Sequence, residues 1–303
     1  MSTPAGGRVC AVVVAYNRAG LLRECLAALG AQTRAVDTIL VVDNASTDGT
    51  RGLVRAEFPG ATVLGMAANG GGAGGFHAGM RWAYKEGYEW LWLMDDDARP
   101  AADCLGRLLA HARPNAVLVP VQQDNNGWFY GITEWKHREI EVTTDLIERG
   151  EPVSGKFVFR FVGPLIAREV VAQVGLPNKD FFIWFDDTEY ALRIQSSSTV
   201  ESVVVPDALI YHHFGGELRE VSFLGRRGTH TSHSAWKEYY GARNYLYTII
   251  WVRRQPQEVF RFCLRQTRYS IRDIIYEPDR WLRVRMRLLG MLDGAIGRLG
   301  KRI

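Results

Sequence analysis

The sequence has few cysteines, and their spacing excludes the common cysteine-based sites. Its 303 residues include four cysteines, at positions 10, 25, 104 and 263, and no two of them form a CxxC pair. Such isolated cysteines are typical of free thiols in a reducing compartment, not of a disulfide framework or a cysteine-rich zinc site. We therefore expect a protein without structural disulfides.

Long hydrophobic runs are also missing. No apolar stretch approaches the roughly 20 residues that a membrane-spanning helix needs, and residues 1–7 are small and polar, with no apolar leader. We expect no signal peptide and a soluble or peripheral protein on the cytoplasmic side. Because 47% of the residues are apolar, the chain can still bury a large core, either alone or with an appendage.

Charge is unevenly distributed, although its net value is only +4. Residues 251–303 contain 13 Arg or Lys against 5 Asp or Glu, so the preceding residues carry a small net negative charge. A basic tail on a mildly acidic body predicts an anionic partner, either a membrane or a nucleic acid. No nucleic-acid-binding motif accompanies the charge, so we expect a membrane surface and no nucleic acid.

Strand-like and helix-like segments alternate through the first half of the chain. The pattern predicts helices at about 21–29 and 76–86, buried strands at 9–15 and 90–95, and further strands at 38–42 and 62–66. This alternation predicts an α/β fold with a mostly parallel, Rossmann-like sheet flanked by helices. The second half is less regular. It predicts basic helices beyond about residue 234 and strands near 115–120, 156–161 and 200–205.

The most informative stretch is residues 90–100, where an apolar strand ends directly in Asp95, Asp96 and Asp97. Carboxylates at the end of a buried strand repel one another and are costly unless something compensates their charge. A divalent cation is the simplest compensation, and oxygen ligands suit Mg²⁺ or Mn²⁺. The alternative is a solvated acidic turn that caps a helix beginning near Pro100.

Two further features are expected at the same edge of the sheet. Asp43 follows the second strand, where it can accept a hydrogen bond from a base or ribose hydroxyl, or else cap the next helix. The glycine-rich stretch 69–75 does not follow the GxGxxG pattern. We expect a loop there, either one whose N–H groups approach a ligand closely or an ordinary surface loop.

A second acidic cluster and a histidine pair complete the candidate chemistry. Five apolar residues precede Asp186 and Asp187, and apolar walls raise a carboxyl pKa in a way that suits a general base. Alternatively, Asp186 or Thr188 caps a helix that runs through Arg193, which leaves one acid for chemistry. His212 and His213 follow an apparent strand, and an imidazole near the acidic triplet would complete a carboxylate–histidine metal site. A histidine pair is also common in ordinary polar structure.

The basic tail predicts an amphipathic helix over residues 281–299. Its arginines at 283, 287 and 298 fall away from one apolar stripe, formed by Trp281, Val284, Leu288, Leu292, Ala295 and Leu299. Such a helix either lies in a membrane interface or packs on the catalytic domain with a solvated arginine face.

The order of these segments resembles that of the family 2 glycosyltransferases of GT-A fold, on the stretches VVVAYNR, VVDNASTDGT, NGGGAGGFHAG, DDD and FDDTEY. The later stretches WFDDTEY, YHHF and WKEYYGARNYLY look more closely like the bacterial galactofuranosyltransferases that initiate cell-wall galactan synthesis. The resemblance covers roughly residues 9–245. It implies a catalytic domain over 1–215, with a nucleotide-sugar half at about 1–120 and an acceptor half at about 121–215, and a basic helical region over 216–303.

The resemblance also implies roles for individual residues. A metal, Mn²⁺ or Mg²⁺, would be held by Asp95, Asp97 and His212, with His213 as the competing ligand. Asp187 would deprotonate the acceptor hydroxyl, with Asp186 as the competing base, and Trp184 would shape the acceptor pocket. The donor, UDP-galactofuranose, would contact Asn17, Arg18, Asp43, Asn69, Asp96 and Arg243.

The implied reaction is an inverting transfer of galactofuranose to a polyprenyl-diphosphate-linked acceptor containing GlcNAc and rhamnose, at the cytoplasmic face of the plasma membrane. One base and one metal site suffice for such a single displacement, and no separate nucleophile is indicated. Two alternatives stay open. One is a rhamnosyltransferase that uses a dTDP-sugar, and the other is a non-catalytic glycan- or lipid-binding scaffold.

Overall fold

The computed structural model describes residues 7–124, 127, 129–130, 132–134, 139–140, 144–212, 217–223 and 226–303. The chain divides into two compact units, Met1–Lys179 with Tyr190–His213, and Asp180–Glu189 with Phe214–Ile303. The predicted domain division at residue 215 stays a prediction. In the structure, the short segment 180–189, which carries the second acidic cluster, clusters with the later unit.

Fifteen strands and ten α-helices are assigned within the described residues. The strands are β1 Val9–Ala15, β2 Thr38–Asp43, β3 Thr62–Gly65, β4 Trp90–Asp95, β5 Ala98–Pro100, β6 Ala116–Gln123, β7 Phe129–Tyr130, β8 Ile132–Glu134, β9 Glu139–Ile140, β10 Val153–Gly155, β11 Phe157–Val158, β12 Leu165–Ala167, β13 Glu201–His212, β14 Glu217–Phe223 and β15 Arg226–Ser232. The helices are α1 Ala19–Gly30, α2 Thr50–Glu57, α3 Gly71–Lys85, α4 Cys104–Leu109, α5 Thr144–Arg149, α6 Arg168–Val174, α7 Asp186–Ser196, α8 Ala235–Tyr247, α9 Pro256–Tyr276 and α10 Arg280–Ala295.

The first unit is built on one large mixed sheet, which confirms the predicted α/β fold. Its strand order is β10-β13-β6-β12-β4-β1-β2-β3, with β5 paired to β13 and β7 to β6. The run β4-β1-β2-β3 is parallel throughout, so the carboxyl ends of β4 and β2 lie at the same edge. Strand β12 is antiparallel to both of its neighbours. The central strands are buried because helices flank the sheet: every residue of β1 is buried, whereas the edge strand β3 contains no buried residue.

The glycine-rich stretch is a helix instead of the predicted loop. Helix α3 begins at Gly71, five residues before the predicted start. A Cβ atom on Gly75 would lie 2.4 Å from Cγ1 of Val14, and one on Gly79 would lie 2.3 Å from Cγ1 of Val12. The glycines therefore let α3 lie directly against β1, a packing reason that outweighs their poor helix propensity.

The second unit contains α8, α9 and α10, with a π-helix at Thr248–Arg253 between α8 and α9. Its buried apolar residues include Tyr239 and Tyr240 on α8 and Phe262 on α9. No helix of the described residues combines the length and the hydropathy needed to cross a bilayer.

Candidate active site

Sheet register brings the first acidic cluster together with His212. The strand β4 ends at Asp95, and the chain turns at once into β5. Strand β13 runs antiparallel to β5, with His212 directly opposite Ala98. This pairing places the imidazole of His212 beside the acidic triplet. Ligand atoms of Asp95, Asp97 and His212 all lie within 4.8 Å of one another.

These three residues fit a divalent cation. Nε2 of His212 lies 3.1 Å from Oδ1 of Asp97, and the two side chains are only 11% and 8% exposed. Adjacent ligands of an octahedral ion with bonds of about 2.1 Å are about 3 Å apart, so this spacing matches a shared ion. Nδ1 of His212 is buried with no hydrogen-bond partner among the described residues. Carboxylate oxygens with one imidazole form a donor set suited to Mn²⁺ or Mg²⁺.

Arg18 and Asp96 lie beside this cluster. Nη1 of Arg18 is 2.8 Å from Oδ2 of Asp97 and 3.3 Å from Oδ1 of Asp96. Asp96 also accepts a hydrogen bond from the backbone N–H of Tyr16. Burial raises the pKa of Asp96 to about 6, although the charge of Arg18 opposes the shift. Burial also opposes ionisation of Asp97, yet His212 and Arg18 hold the pKa of Asp97 below its ordinary value.

Asp43 lies at the same edge, at the end of β2, and its side chain is fully buried. It accepts a hydrogen bond from the N–H of Ser46 and pairs with Nε of Arg51. Beside it is a cavity of about 440 Å³, lined by Ala45, Ser46, Thr47, Gly49, Thr50, Arg51, Met66 and Ala67. The sequence analysis did not identify Arg51, because arginines are common on the exposed face of an amphipathic helix and nothing in the local sequence shows that this one pairs with Asp43.

Asn17 and Asn69 organise the loops around this edge. Asn17 is exposed, has a left-handed backbone (φ +52°), and its Oδ1 accepts from the N–H of Thr47 at 2.7 Å. Asn69 accepts from the N–H of Gly71 at the start of α3. The buried Asn44, which sequence analysis did not select, binds the same turn through the N–H of Gly70 and the carbonyl of Gly71.

The second acidic pair begins α7, after a strained loop. Phe182, Trp184 and Phe185 all have φ between +64° and +67°, a conformation that non-glycine residues rarely adopt. Such strain persists only where surrounding contacts hold it, and it concentrates at functional sites. The loop leads directly into Asp186 and Asp187.

Two adjacent side chains of α8 hold this loop. Nδ2 of Asn244 donates to the carbonyls of Phe181, Ile183 and Trp184 at 2.8–3.0 Å. Arg243 is fully buried and donates to the carbonyls of Asp180, Phe181 and Gly300, and to Oδ1 of Asn244. The structure therefore gives Arg243 backbone partners inside the second unit, and its contact with the donor diphosphate stays a prediction.

The two carboxylates of the pair have different surroundings. Burial, followed by the charge of Asp187, raises the pKa of Asp186 to about 8. Asp187 is partly exposed and accepts from the N–H and hydroxyl of Thr188 at 2.5 and 3.1 Å. Burial therefore disfavours the ionised form of Asp186, whereas Asp187 is the more accessible carboxylate of the pair.

Trp184 is half-buried in the same unit. Its ring lies 5.0 Å from that of His233, and Nζ of Lys237 lies 5.9 Å from its centre. The first unit thus brings together Asp95, Asp96, Asp97, His212 and Arg18, and the second holds Trp184, Asp186, Asp187 and Arg243. His213, the competing metal ligand, lies outside the described residues.

Comparison with known proteins identifies the fold and the family. The structure is similar to the crystal structure of GalNAc-T7 with UDP, GalNAc and Mn²⁺, with a TM-score of 0.58 and 15% identity over 80% of this chain and 47% of that chain. The chain thus spans about half of that structure, and at this identity the likeness shows the GT-A fold.

Sequence relatives are closer. The chain is 32% identical over 266 residues to galactofuranosyltransferase GlfT1 of Mycolicibacterium smegmatis, covering 84% of this chain and 88% of that protein. It is 24% identical over 239 residues to the dTDP-rhamnosyl transferase RfbF of Shigella flexneri, covering 78% of each. The family model described as Glycosyl transferase family 2 matches residues 10–168, half of the chain. The chain therefore belongs to glycosyl transferase family 2, as a glycosyltransferase of GT-A fold related to the galactofuranosyltransferase GlfT1.

Proposed function

We propose that this glycosyltransferase transfers galactofuranose from UDP-galactofuranose to a polyprenyl-diphosphate-linked acceptor that carries GlcNAc and rhamnose. The observation that carries the proposal is the likeness to GlfT1, which extends over most of both chains. The reaction would be inverting and metal-dependent, and would take place at the cytoplasmic face of the plasma membrane. In this proposal residues 1–120 bind the nucleotide sugar, residues 121–215 bind the acceptor, and residues 216–303 form a basic helical region.

The donor would be bound at the carboxyl edge of the sheet. Asp95, Asp97 and His212 would hold Mn²⁺ or Mg²⁺, and a bound cation stabilises the negative charge that grows on a diphosphate leaving group. Arg18 is half-exposed beside the cluster and would exchange its bond to Asp97 for one to a phosphate oxygen. Asp96, buried and hydrogen-bonded, would face the sugar.

The nucleoside would occupy the neighbouring cavity. Arg51 lines that cavity and pairs with the buried Asp43, and in this proposal the two side chains would hydrogen-bond a uracil edge or a ribose hydroxyl. Asn17 and Asn69 shape the two loops that border it. Its volume of about 440 Å³ falls within the range of small-molecule sites.

The acceptor would be activated by Asp187. Burial raises the pKa of Asp186 and disfavours its ionised form, so in this proposal Asp187 takes the proton of the acceptor hydroxyl. The acceptor oxygen would then form its bond to the anomeric carbon as the bond to the diphosphate breaks, which inverts the configuration in one displacement. Trp184 would contact the acceptor sugar through its ring face.

The test is transfer from radiolabelled UDP-galactofuranose to a synthetic lipid-diphosphate-GlcNAc-rhamnose acceptor, with Mn²⁺ and with EDTA. We expect product with Mn²⁺, none with EDTA, and none from Asp97→Asn. Asp103→Asn is the matched control, because this carboxylate is half-exposed and pairs only on the surface with Arg107.

A second candidate is rhamnosyl transfer from a dTDP-sugar, favoured by the likeness to RfbF. Product from dTDP-rhamnose, with none from UDP-galactofuranose, would keep the fold and overturn the proposed donor. No product from either donor would favour a non-catalytic glycan- or lipid-binding scaffold.

A further inference from the structure

Helix α10 buries charged residues and exposes apolar ones, the reverse of an ordinary amphipathic helix in a soluble protein. The inward face carries Arg283 and Arg287, which are 5% and 1% exposed. The outward face carries Trp281, Leu288 and Leu292, which are 69%, 59% and 58% exposed. The apolar stripe that the sequence predicted is therefore present, but it faces solvent.

Ion pairs fix which face of α10 is buried, because they would break if the helix turned about its axis. Nη2 of Arg287 lies 2.7 Å from carboxylate oxygens of both Glu238 and Asp273. Arg283 pairs with Glu277 at 3.2 Å and with Asp279 at 2.6 Å. Turning the stripe inward would leave these buried charges unpaired, which is strongly unfavourable.

Two glycines fix the same orientation. A Cβ atom on Gly290 would lie 2.2 Å from the carbonyl oxygen of Tyr239, and one on Gly294 would lie 2.5 Å from that of Arg243. Helix α10 therefore touches α8 backbone to backbone along this face. No larger side chain fits between the two helices there.

Helix α9 repeats the arrangement. It buries Asp273 and Gln266 beside Phe262. It exposes a stripe with spacings of four and seven residues, formed by Phe260, Leu264, Ile271 and Ile275, which are between 46% and 68% exposed. We name the exposed apolar residues of both helices the apolar face: Phe260, Leu264, Ile271, Ile275, Trp281, Leu282, Leu288, Leu289, Leu292 and Ile296.

The surroundings of the apolar face are basic. Asp273 and Glu277 are buried with the inward arginines, so these acids do not neutralise the outer surface. Exposed arginines lie among and beside the apolar residues of both helices, at Arg254, Arg261, Arg268, Arg280, Arg285 and Arg298. Arg261 pairs with Glu258 and Arg298 with Asp293, and the other four form no ion pair within the described residues that would cancel the excess of positive charge. Large aliphatic and tryptophan side chains bordered by arginines are typical of helices that lie in a membrane interface.

We propose that the apolar face of α9 and α10 inserts into the interfacial layer of an anionic membrane. Charge complementarity favours lipid over a second copy of the chain, because a symmetric dimer would set this arginine-rich surface against itself. The inference does not depend on the donor sugar. If the acceptor is lipid-linked, as the proposed function holds, the insertion also places the enzyme in the layer that contains its substrate.

The experiment is co-sedimentation of the full chain with vesicles of phosphatidylcholine alone or with about 30% phosphatidylglycerol added as the anionic lipid. We expect binding to the anionic vesicles that falls at high salt, and little binding to phosphatidylcholine. Leu288→Ser with Leu292→Ser should weaken binding about tenfold. Arg261→Glu should weaken it by at least about fivefold, the effect of one basic residue near such a surface.

Arg81→Glu on α3 is the matched charge control, since Arg81 is exposed in the first unit. It should leave vesicle binding unchanged. Equal binding to both vesicle types, or equal losses for Arg81→Glu and Arg261→Glu, would overturn the proposal. So would a stable dimer in light scattering that dissociates in the Leu288→Ser, Leu292→Ser variant and does not bind vesicles. None of these readouts requires transferase activity.

Discussion

Asn244 is the residue whose replacement should most clearly separate the acceptor side of the reaction from the donor side. The change Asn244→Asp keeps the Oδ1 acceptor used by Arg243 and removes the Nδ2 donor that binds three loop carbonyls. Those carbonyls belong to the strained segment that leads into Asp186 and Asp187. Without the donor, the segment is free to relax to ordinary backbone angles.

The magnitude follows from the contacts. Nδ2 of Asn244 has two N–H groups, which the three carbonyls share. At a net value of about 1 kcal/mol for each N–H donor, the change should lower the free energy of unfolding by about 2 kcal/mol. Each left-handed non-glycine residue stores about 1–3 kcal/mol of strain, which favours relaxation of the loop once the donor is removed. A shift of the base by about 1 Å can cost about 100-fold in rate, so we expect a fall in kcat of that order.

The assay pairs urea denaturation with steady-state transfer and calorimetric UDP binding. UDP affinity should be unchanged, because the proposed metal ligands and the cavity proposed for the nucleoside belong to the first unit. Thr248→Val is the matched control: its hydroxyl donates to the carbonyl of Asn244, one helical turn away on the same helix. This variant should lose about 1 kcal/mol of stability and keep its kcat. Native kcat in Asn244→Asp would refute the reasoning.

Three further predictions concern the metal and the acidic pair. His212→Ala should lower Mn²⁺ affinity at least about 100-fold by electron paramagnetic resonance titration, and unaltered affinity would transfer the ligand role to His213. Asp187→Asn should abolish transfer while UDP binding is retained, and unchanged turnover would remove Asp187 as the base. Asp186→Asn should stabilise the protein increasingly with pH. The pKa of Asp186 is raised in the folded protein, so above about pH 4 this carboxyl ionises in the unfolded chain but keeps its proton in the folded one. The free energy of unfolding of the wild type therefore falls by up to about 1.4 kcal/mol per pH unit between about pH 4 and pH 8, and the asparagine variant escapes this loss. Equal urea midpoints for the two proteins at pH 5 and pH 8 would contradict the assignment.

The central strands could be predicted because they are short apolar runs that end in polar residues. Strand β1 matches its predicted bounds, and β4 ends at Asp95 as expected. The start of helix α3 at Gly71 could not be predicted, because glycine has a low helix propensity. The glycines are needed where the helix packs against Val12 and Val14 of β1, and that contact is not visible in the local sequence.

The cluster of Asp95, Asp97 and His212 was expected from a family resemblance, and the structure supplies its physical cause in the pairing of β5 with β13. That pairing joins residues more than 100 positions apart, and β5 is too short to give a pattern of its own. Similarly, the amphipathic pattern of α10 was visible, but the choice of its buried face depends on distant partners such as Glu238 and Asp273.

Asn244 shows a third reason for the limits of sequence reasoning. The residue lies in the recognised segment YGARNYLY, yet only its neighbour Arg243 was selected, as a donor contact. An asparagine in a helix carries no signal for the three carbonyls that it binds, because those carbonyls belong to a loop some 60 residues earlier in the chain.

The central claim is that Asp95, Asp97 and His212 bind a divalent cation needed for galactofuranosyl transfer. The most direct test is the initial rate of transfer from UDP-galactofuranose as Mn²⁺ is titrated into metal-free wild type and Asp97→Asn. The account predicts a saturable, Mn²⁺-dependent rate in the wild type and no measurable rate in the variant at the same Mn²⁺ concentrations. A metal-free wild type that transfers at its full rate, or an Asp97→Asn variant with the same Mn²⁺ dependence, would contradict it.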